Sequence, residues 1–144
     1  MYHTIRIHVQ MLESFRGDLL VAFLLENSSL TPAQLDTILA SQNDGTLDSK
    51  RSLREKRKVS SGAFVRTLRQ AQRNIEASIY SLMLLSYLGI IPEEKINQFL
   101  RTERLVLKVK EMNPDQENMQ QIIEGMQEFA GDFSGRKRGR KVIL

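Results

Sequence analysis

The chain contains no cysteine. Disulfides, thiolate metal sites and cysteine nucleophiles are therefore excluded, and the absence accords with a reducing compartment. Histidine is scarce as well. His3 and His8 are the only two, five residues apart, and neither stands beside a carboxylate pair at ligand spacing. No phosphate-cradling glycine loop, zinc signature or nucleophile elbow occurs. Glu93-Glu94 follows Pro92, a pattern that starts a helix rather than one that builds an acid–base pair. These absences lead to the expectation of a protein that is not an enzyme and carries neither cofactor nor metal.

Long apolar runs are missing too. The longest uncharged stretch, Ala77 to Pro92, has 16 residues and includes Ser78, Ser81 and Ser86. Crossing a bilayer takes about 20 apolar residues, so a buried helix is the expectation here and no membrane contact is expected. The opening Met1-Tyr2-His3-Thr4 lacks the basic and apolar regions of a secretory signal, which points to a cytoplasmic chain, nucleoid-associated if prokaryotic. With 144 residues, 41% hydrophobic and 26% charged, the chain suits one globular domain with a real core.

Charge of one sign is absent where it would ordinarily mix. Between Lys56 and Ile75 there is no acidic residue. The net charge of +4 conceals this, because residues 1–49 sum to −4, 50–73 to +8, 92–132 to −4 and the tail from Arg136 to Lys141 to +5. Basic charge gathered in two places is the footprint of polyanion binding, whereas a merely solvated face mixes both signs.

Apolar spacing predicts an all-α chain of five to six helices. Ile5, Val9, Leu12, Phe15, Leu19 and Phe23 recur at three- and four-residue steps, predicting a helix over 4–26. Ile5, Ile7 and Val9 also alternate, which is the pattern of a short strand. Asn27-Ser28-Ser29 breaks the helix. Thr31-Pro32-Ala33-Gln34 then carries a cap, a first-turn proline and the partner of a capping box, predicting a helix to Ser41. Asn43-Asp44-Gly45 is turn chemistry. Ser60 or Ser61 is placed to cap the next helix. Its core stripe is Phe64, Leu68, Ala71, Ile75, Ile79 and Leu82, while Arg66, Arg69, Gln70 and Arg73 fall on roughly the opposite face.

Beyond Asn74 the polar face vanishes. Residues 75–91 read as a long, strongly apolar helix, buried in the domain centre or in a subunit interface, with a bend at Asn74 to Ser78 and a stop at Gly89 and Pro92. Further helices are predicted over Pro92 to Met112 and, after the start signal Asn113-Pro114-Asp115-Gln116, to Ala130. Gly131 to Gly135 reads as a flexible joint. The organisation expected is one helical domain over 1–134 and a flexible basic tail over 135–144.

The stretch 53-LREKRKVSSGAFVRTL-68 resembles a helix-turn-helix of DNA-binding transcription regulators. Leu53, Val59, Ser60, Phe64 and Arg66 fit its register over about 20 of the 144 residues. Arg54, Arg57 and Lys58 depart from it, standing where the pattern keeps a small residue, an apolar residue and glycine. Two readings follow: a looser turn, or a basic loop over 50–58 leading into a single contacting helix.

The resemblance implies a central helix-turn-helix-like unit at about 50–73, with the N-terminal half of the second helix in the major groove. Ser60 and Ser61 would open that helix, and Arg66, Arg69, Gln70 and Arg73 would reach guanine, adenine or phosphate. Lys50, Arg51, Arg54, Lys56, Arg57 and Lys58 would hold phosphates. The tail residues Arg136, Lys137, Arg138, Arg140 and Lys141 would add sequence-independent affinity.

The function so implied is double-stranded DNA binding in transcriptional regulation, by a homodimer joined through helix 77–91, the C-terminal helices or both. The alternatives are an RNA- or ribosome-associated basic factor and a protein-interaction module.

Overall fold

The computed structural model describes residues 17–42 and 59–136. These form five α-helices and, among the described residues, no strand: α1 over Leu19–Asn27, α2 over Pro32–Ser41, α3 over Ser61–Tyr87, α4 over Glu93–Met112 and α5 over Gln116–Phe133. The chain divides into two compact units, residues 1–81 and 82–144, with α3 beginning in the first and ending in the second.

In the first unit each helix start is written locally. Asp18 caps α1, its carboxylate accepting from the backbone N–H of Leu20 at 2.9 Å and Val21 at 3.2 Å. A helix running unbroken over 4–26 is therefore not what forms at this point. Glycine at 17 and a strong capping side chain at 18 favour a start there over a continued turn. Residues 1–16, which carried the rest of that expectation, lie outside the described residues.

The capping box predicted for α2 is present. Thr31 Oγ1 accepts from Gln34 N–H at 3.2 Å, and Gln34 Oε1 accepts from Thr31 N–H at 3.1 Å. Two otherwise orphaned donors are satisfied reciprocally.

The core of this unit joins α2 to α3. Ala40 is fully buried and Phe64 is 1% exposed, with Leu39, Val59 and Leu68 packed around them. Ala71, one further helical repeat along α3, is also fully buried. The phenyl ring thus fills the space opposite an alanine, large against small, as close packing requires. A polar seam runs beside it. Asn74 Nδ2 donates to Ser29 O at 2.9 Å and to Gln34 Oε1 at 3.1 Å, so the capping residue of α2 also serves as a tertiary acceptor. Asn74 is used as a crosslink between elements, and α3 runs on past it without ending.

α3 stops through a left-handed glycine. Gly89 has φ +72, with Gly89 N–H on Ser86 O at 3.0 Å and Ile90 N–H on Leu85 O at 2.9 Å. This is the Schellman pattern, which closes the last carbonyls with a residue that needs no Cβ.

In the second unit α4 and α5 are joined by Asn113-Pro114-Asp115. Asn113 ends α4 in the left-handed region at φ 44, and Asp115 rather than Asn113 caps α5, accepting from Asn118 N–H at 2.8 Å. Ile91, Val109 and Ile123 are buried.

The predicted joint at Gly131 to Gly135 is shorter than expected, because α5 continues through Phe133. The reason is tertiary. Phe133 stacks tilted on Phe99 and on Phe129, ring centroids 5.8 Å apart in each case. Lys95 Nζ also donates to Asp132 O at 3.1 Å, where a cation suits the negative helix end.

The largest departure concerns residues 75–91. Their absence of charge led to an expectation of burial in the domain centre or in a subunit interface. Within the single chain the central burial does not occur: Ile79, Tyr80, Met83, Leu84 and Tyr87 are all exposed.

Candidate nucleic-acid interface

α3 has two unlike faces in its N-terminal half. At 3.6 residues per turn, Phe64, Leu68 and Ala71 turn inward together, and Arg66, Arg69 and Arg73 come round on the other side. The burial follows that division: Phe64 and Ala71 are buried, whereas the three arginines and Gln70 are exposed. The core contacts made by Phe64 thereby fix the rotation of the helix and decide where the guanidinium groups point.

Ser60 sets where the helix begins. Its hydroxyl accepts from Ala63 N–H at 3.1 Å, and Phe64 N–H bonds Ser60 O at 3.0 Å, opening the first turn at Ser61. That turn contains no acidic side chain. The positive end of the helix dipole and the arginine row therefore add, with no acidic residue on the helix before Glu76.

Ser61, Gly62, Val65, Arg66, Arg69, Gln70 and Arg73 lie along one face of α3 and border an open depression of about 560 Å³. Successive arginines sit three and four residues apart, about 5–6 Å from one to the next. Among the described residues no hydrogen bond or ion pair occupies the guanidinium of Arg66, Arg69 or Arg73. Each keeps its planar fork of donors, the geometry that matches phosphate oxygens or the O6 and N7 edge of guanine. Gln70 adds an amide that can both donate and accept.

Of the residues expected to act together, the structure groups Ser61, Arg66, Arg69, Gln70 and Arg73 on this surface, with Ser60 at its edge as the cap. Arg136 belongs elsewhere, in the second unit. Its N–H bonds Gly131 O at 3.0 Å with Gly135 at φ +77, closing α5 in the same Schellman fashion as α3. Its guanidinium lies against Gly131, where an added Cβ would stand 3.0 Å from a terminal nitrogen. Lys50, Arg51, Arg54, Lys56, Arg57 and Lys58, and in the tail Lys137, Arg138, Arg140 and Lys141, lie outside the described residues, as does the tight turn of the helix-turn-helix resemblance.

The uncharged stretch of α3 read as buried in the domain centre or in a subunit interface, and what that left open was its exposure in the single chain. The signal that would have found it is the recurrence of tyrosine at 80 and 87, a residue suited to half-wet surfaces.

Among the described residues no helix is long and apolar enough to cross a membrane, and no group of three or more His, Cys, Asp or Glu is placed to hold a metal ion. No protein-family model, no curated protein and no solved structure matches the chain.

Proposed function

We propose that the protein binds double-stranded DNA, with the N-terminal half of α3 as the contacting helix, in the service of transcriptional regulation in the cytoplasm or nucleoid. The observation that carries this reading is the arginine face of α3. Three guanidinium groups without partners among the described residues and one amide share a single face at the start of a helix, on a stretch without acid from Lys56 to Ile75. A surface whose only purpose was solvation would carry glutamates among its arginines.

The same surface supports duplex over single-stranded ligands. Single-strand grooves interleave cations with aromatic platforms on which bases stack, and this face has none. Phe64, the nearest ring along the helix, is committed to the core.

Arg66, Arg69 and Arg73 would hold phosphates or guanine edges, and Gln70 an adenine edge. The basic residues from Lys50 to Lys58, and those of the tail, would lengthen the phosphate track. A second copy of the chain is part of the reading, since duplex sites are commonly read by paired helices.

The test is a binding titration with a random-sequence duplex, repeated with Arg66→Ala and Arg69→Ala at near-physiological salt. Each replacement is expected to weaken binding to the random duplex where the lost contact is to phosphate, and to cost about 1–3 kcal/mol on a preferred sequence where it is to a base edge. Unchanged duplex affinity in both variants would refute the reading. Preference for RNA over duplex in direct competition would move the assignment to an RNA-associated factor. Binding to neither would leave the arginine surface to an acidic protein partner.

A further inference from the structure

The exposed part of α3 carries a run of large apolar side chains. Tyr87 is 90% exposed, Tyr80 68%, Met83 59% and Leu84 57%, and no charged residue occurs between Glu76 and Glu93. Aromatic side chains bring about 150–250 Å² each. With Ile79 and Leu88, also exposed, the stripe offers several hundred Å² of contiguous apolar surface. Patches of that size on a folded chain mark interaction sites.

We infer that this stripe is the interface between two copies of the chain, which pair with their α3 helices antiparallel. Three observations commit it to a second copy. A partner bearing charge would strand that charge against a surface offering no counter-charge over 16 residues. A second copy presents the same uncharged stripe, as a two-fold interface requires. The area is also of the right order, since a standard interface takes about 800 Å² from each partner.

The orientation follows from the spacing. Arg66, Arg69, Arg73, Glu76, Tyr80, Met83 and Tyr87 follow one another at alternating steps of three and four, forming a single seam of the kind that packs helix on helix. Parallel pairing in register would set each arginine against its own copy, three like-charge contacts in succession. Antiparallel pairing about a two-fold axis between Ser81 and Leu82 removes all of them.

Tyr80 then packs on the partner's Met83, and Met83 on the partner's Tyr80, where sulfur against a ring edge is favourable. The Tyr87 hydroxyl comes opposite the partner's Glu76, a donor to a carboxylate in a half-dry setting. In this register Arg73 falls opposite the partner's position 90, past the end of the partner's α3 at Tyr87. The partner's α3 thus leaves the arginine face uncovered.

The contact surface of the second copy contains no residue of the arginine face, although repulsion among Arg66, Arg69 and Arg73 sets its orientation. Its test therefore needs no nucleic acid. Sedimentation of the intact chain at tens of micromolar should give twice the single-chain mass, and Tyr80→Glu combined with Tyr87→Glu should give the single-chain mass with unchanged far-ultraviolet circular dichroism.

The natural absence of cysteine makes a second readout clean. On mild oxidation a Glu76→Cys/Tyr87→Cys variant should crosslink into a dimer, whereas Tyr87→Cys alone should not. A wild-type chain of single mass overturns the proposal. So does a dimer that the glutamate variant leaves intact. Crosslinking through Tyr87→Cys alone overturns the antiparallel orientation. Should the glutamate variant lose helix, the crosslinking pattern decides. Arg66→Ala should leave the mass unchanged, so failure of duplex binding and failure of pairing are read separately.

Discussion

Phe64→Ala is the perturbation on which the link between core and contact surface is most exposed to test. Phe64 is 1% exposed and packs on Ala40 with Leu39, Val59 and Leu68 around it. Truncation removes the ring from a site walled on one side by a fully buried alanine, which has no side chain long enough to fill the space. Large-to-small changes of this kind cost about 3–5 kcal/mol, the upper part where the site cannot collapse. Against a total stability of about 5–15 kcal/mol for an ordinary domain, the loss is severe.

Urea unfolding followed by circular dichroism should show the earlier midpoint and an unchanged slope, with Phe64→Leu falling between wild type and alanine. Duplex binding should weaken in Phe64→Ala although the residue faces away from the ligand, because the ring fixes the rotation of α3 and hence the direction of Arg66 and Arg69. A stability loss under about 1 kcal/mol would refute the assignment of Phe64 as the core of the first unit. A full-sized loss with wild-type duplex affinity under folding conditions would refute the coupling between core and arginine face.

Two further outcomes follow from the fold. Asn74→Ala removes the donor to Ser29 O and Gln34 Oε1, while Gln34 Oε1 keeps the Thr31 N–H; about 1 kcal/mol of stability should be lost in thermal or urea unfolding. Gly89→Ala forces a Cβ into φ +72 at the close of α3 and should destabilise by about 1 kcal/mol. The space around Gly89 is open, so a cost much above that would mean a steric role the structure does not show.

The parts of this fold that were legible in the sequence are those decided within a few residues. Thr31 and Gln34 form their capping box because both ends of it lie in one turn, and Ser60 caps α3 for the same reason. The inward stripe through Phe64, Leu68 and Ala71 was legible because helical periodicity is geometric, and with it the outward placing of Arg66, Arg69 and Arg73.

What escaped was decided at longer range. α5 runs on through Gly131 because Phe133 finds Phe99, a residue 34 positions away. Asn74 reads only as the end of the polar face and the start of a bend until Ser29 and Gln34 are seen to accept from it. Most instructive is the stretch 77–91. Lack of charge says that a surface avoids water, but it does not say whether the same chain or another covers it. Arg136 shows the converse case, since a basic residue grouped by composition with the tail turns out to close a helix.

The central claim is that the arginine face of α3 meets the phosphates and base edges of a duplex. It is tested most directly by the salt dependence of binding, measured for the intact chain and for the Arg66→Ala/Arg69→Ala/Arg73→Ala variant on one random-sequence duplex. Each phosphate contact contributes about 0.9 to the slope of log affinity against log salt, so loss of three such contacts should flatten the slope by up to about 2.7. Any of the three arginines that meets a base edge would instead show as lost sequence discrimination. A variant whose slope and affinity both match wild type, on random and selected sequences alike, would contradict the account.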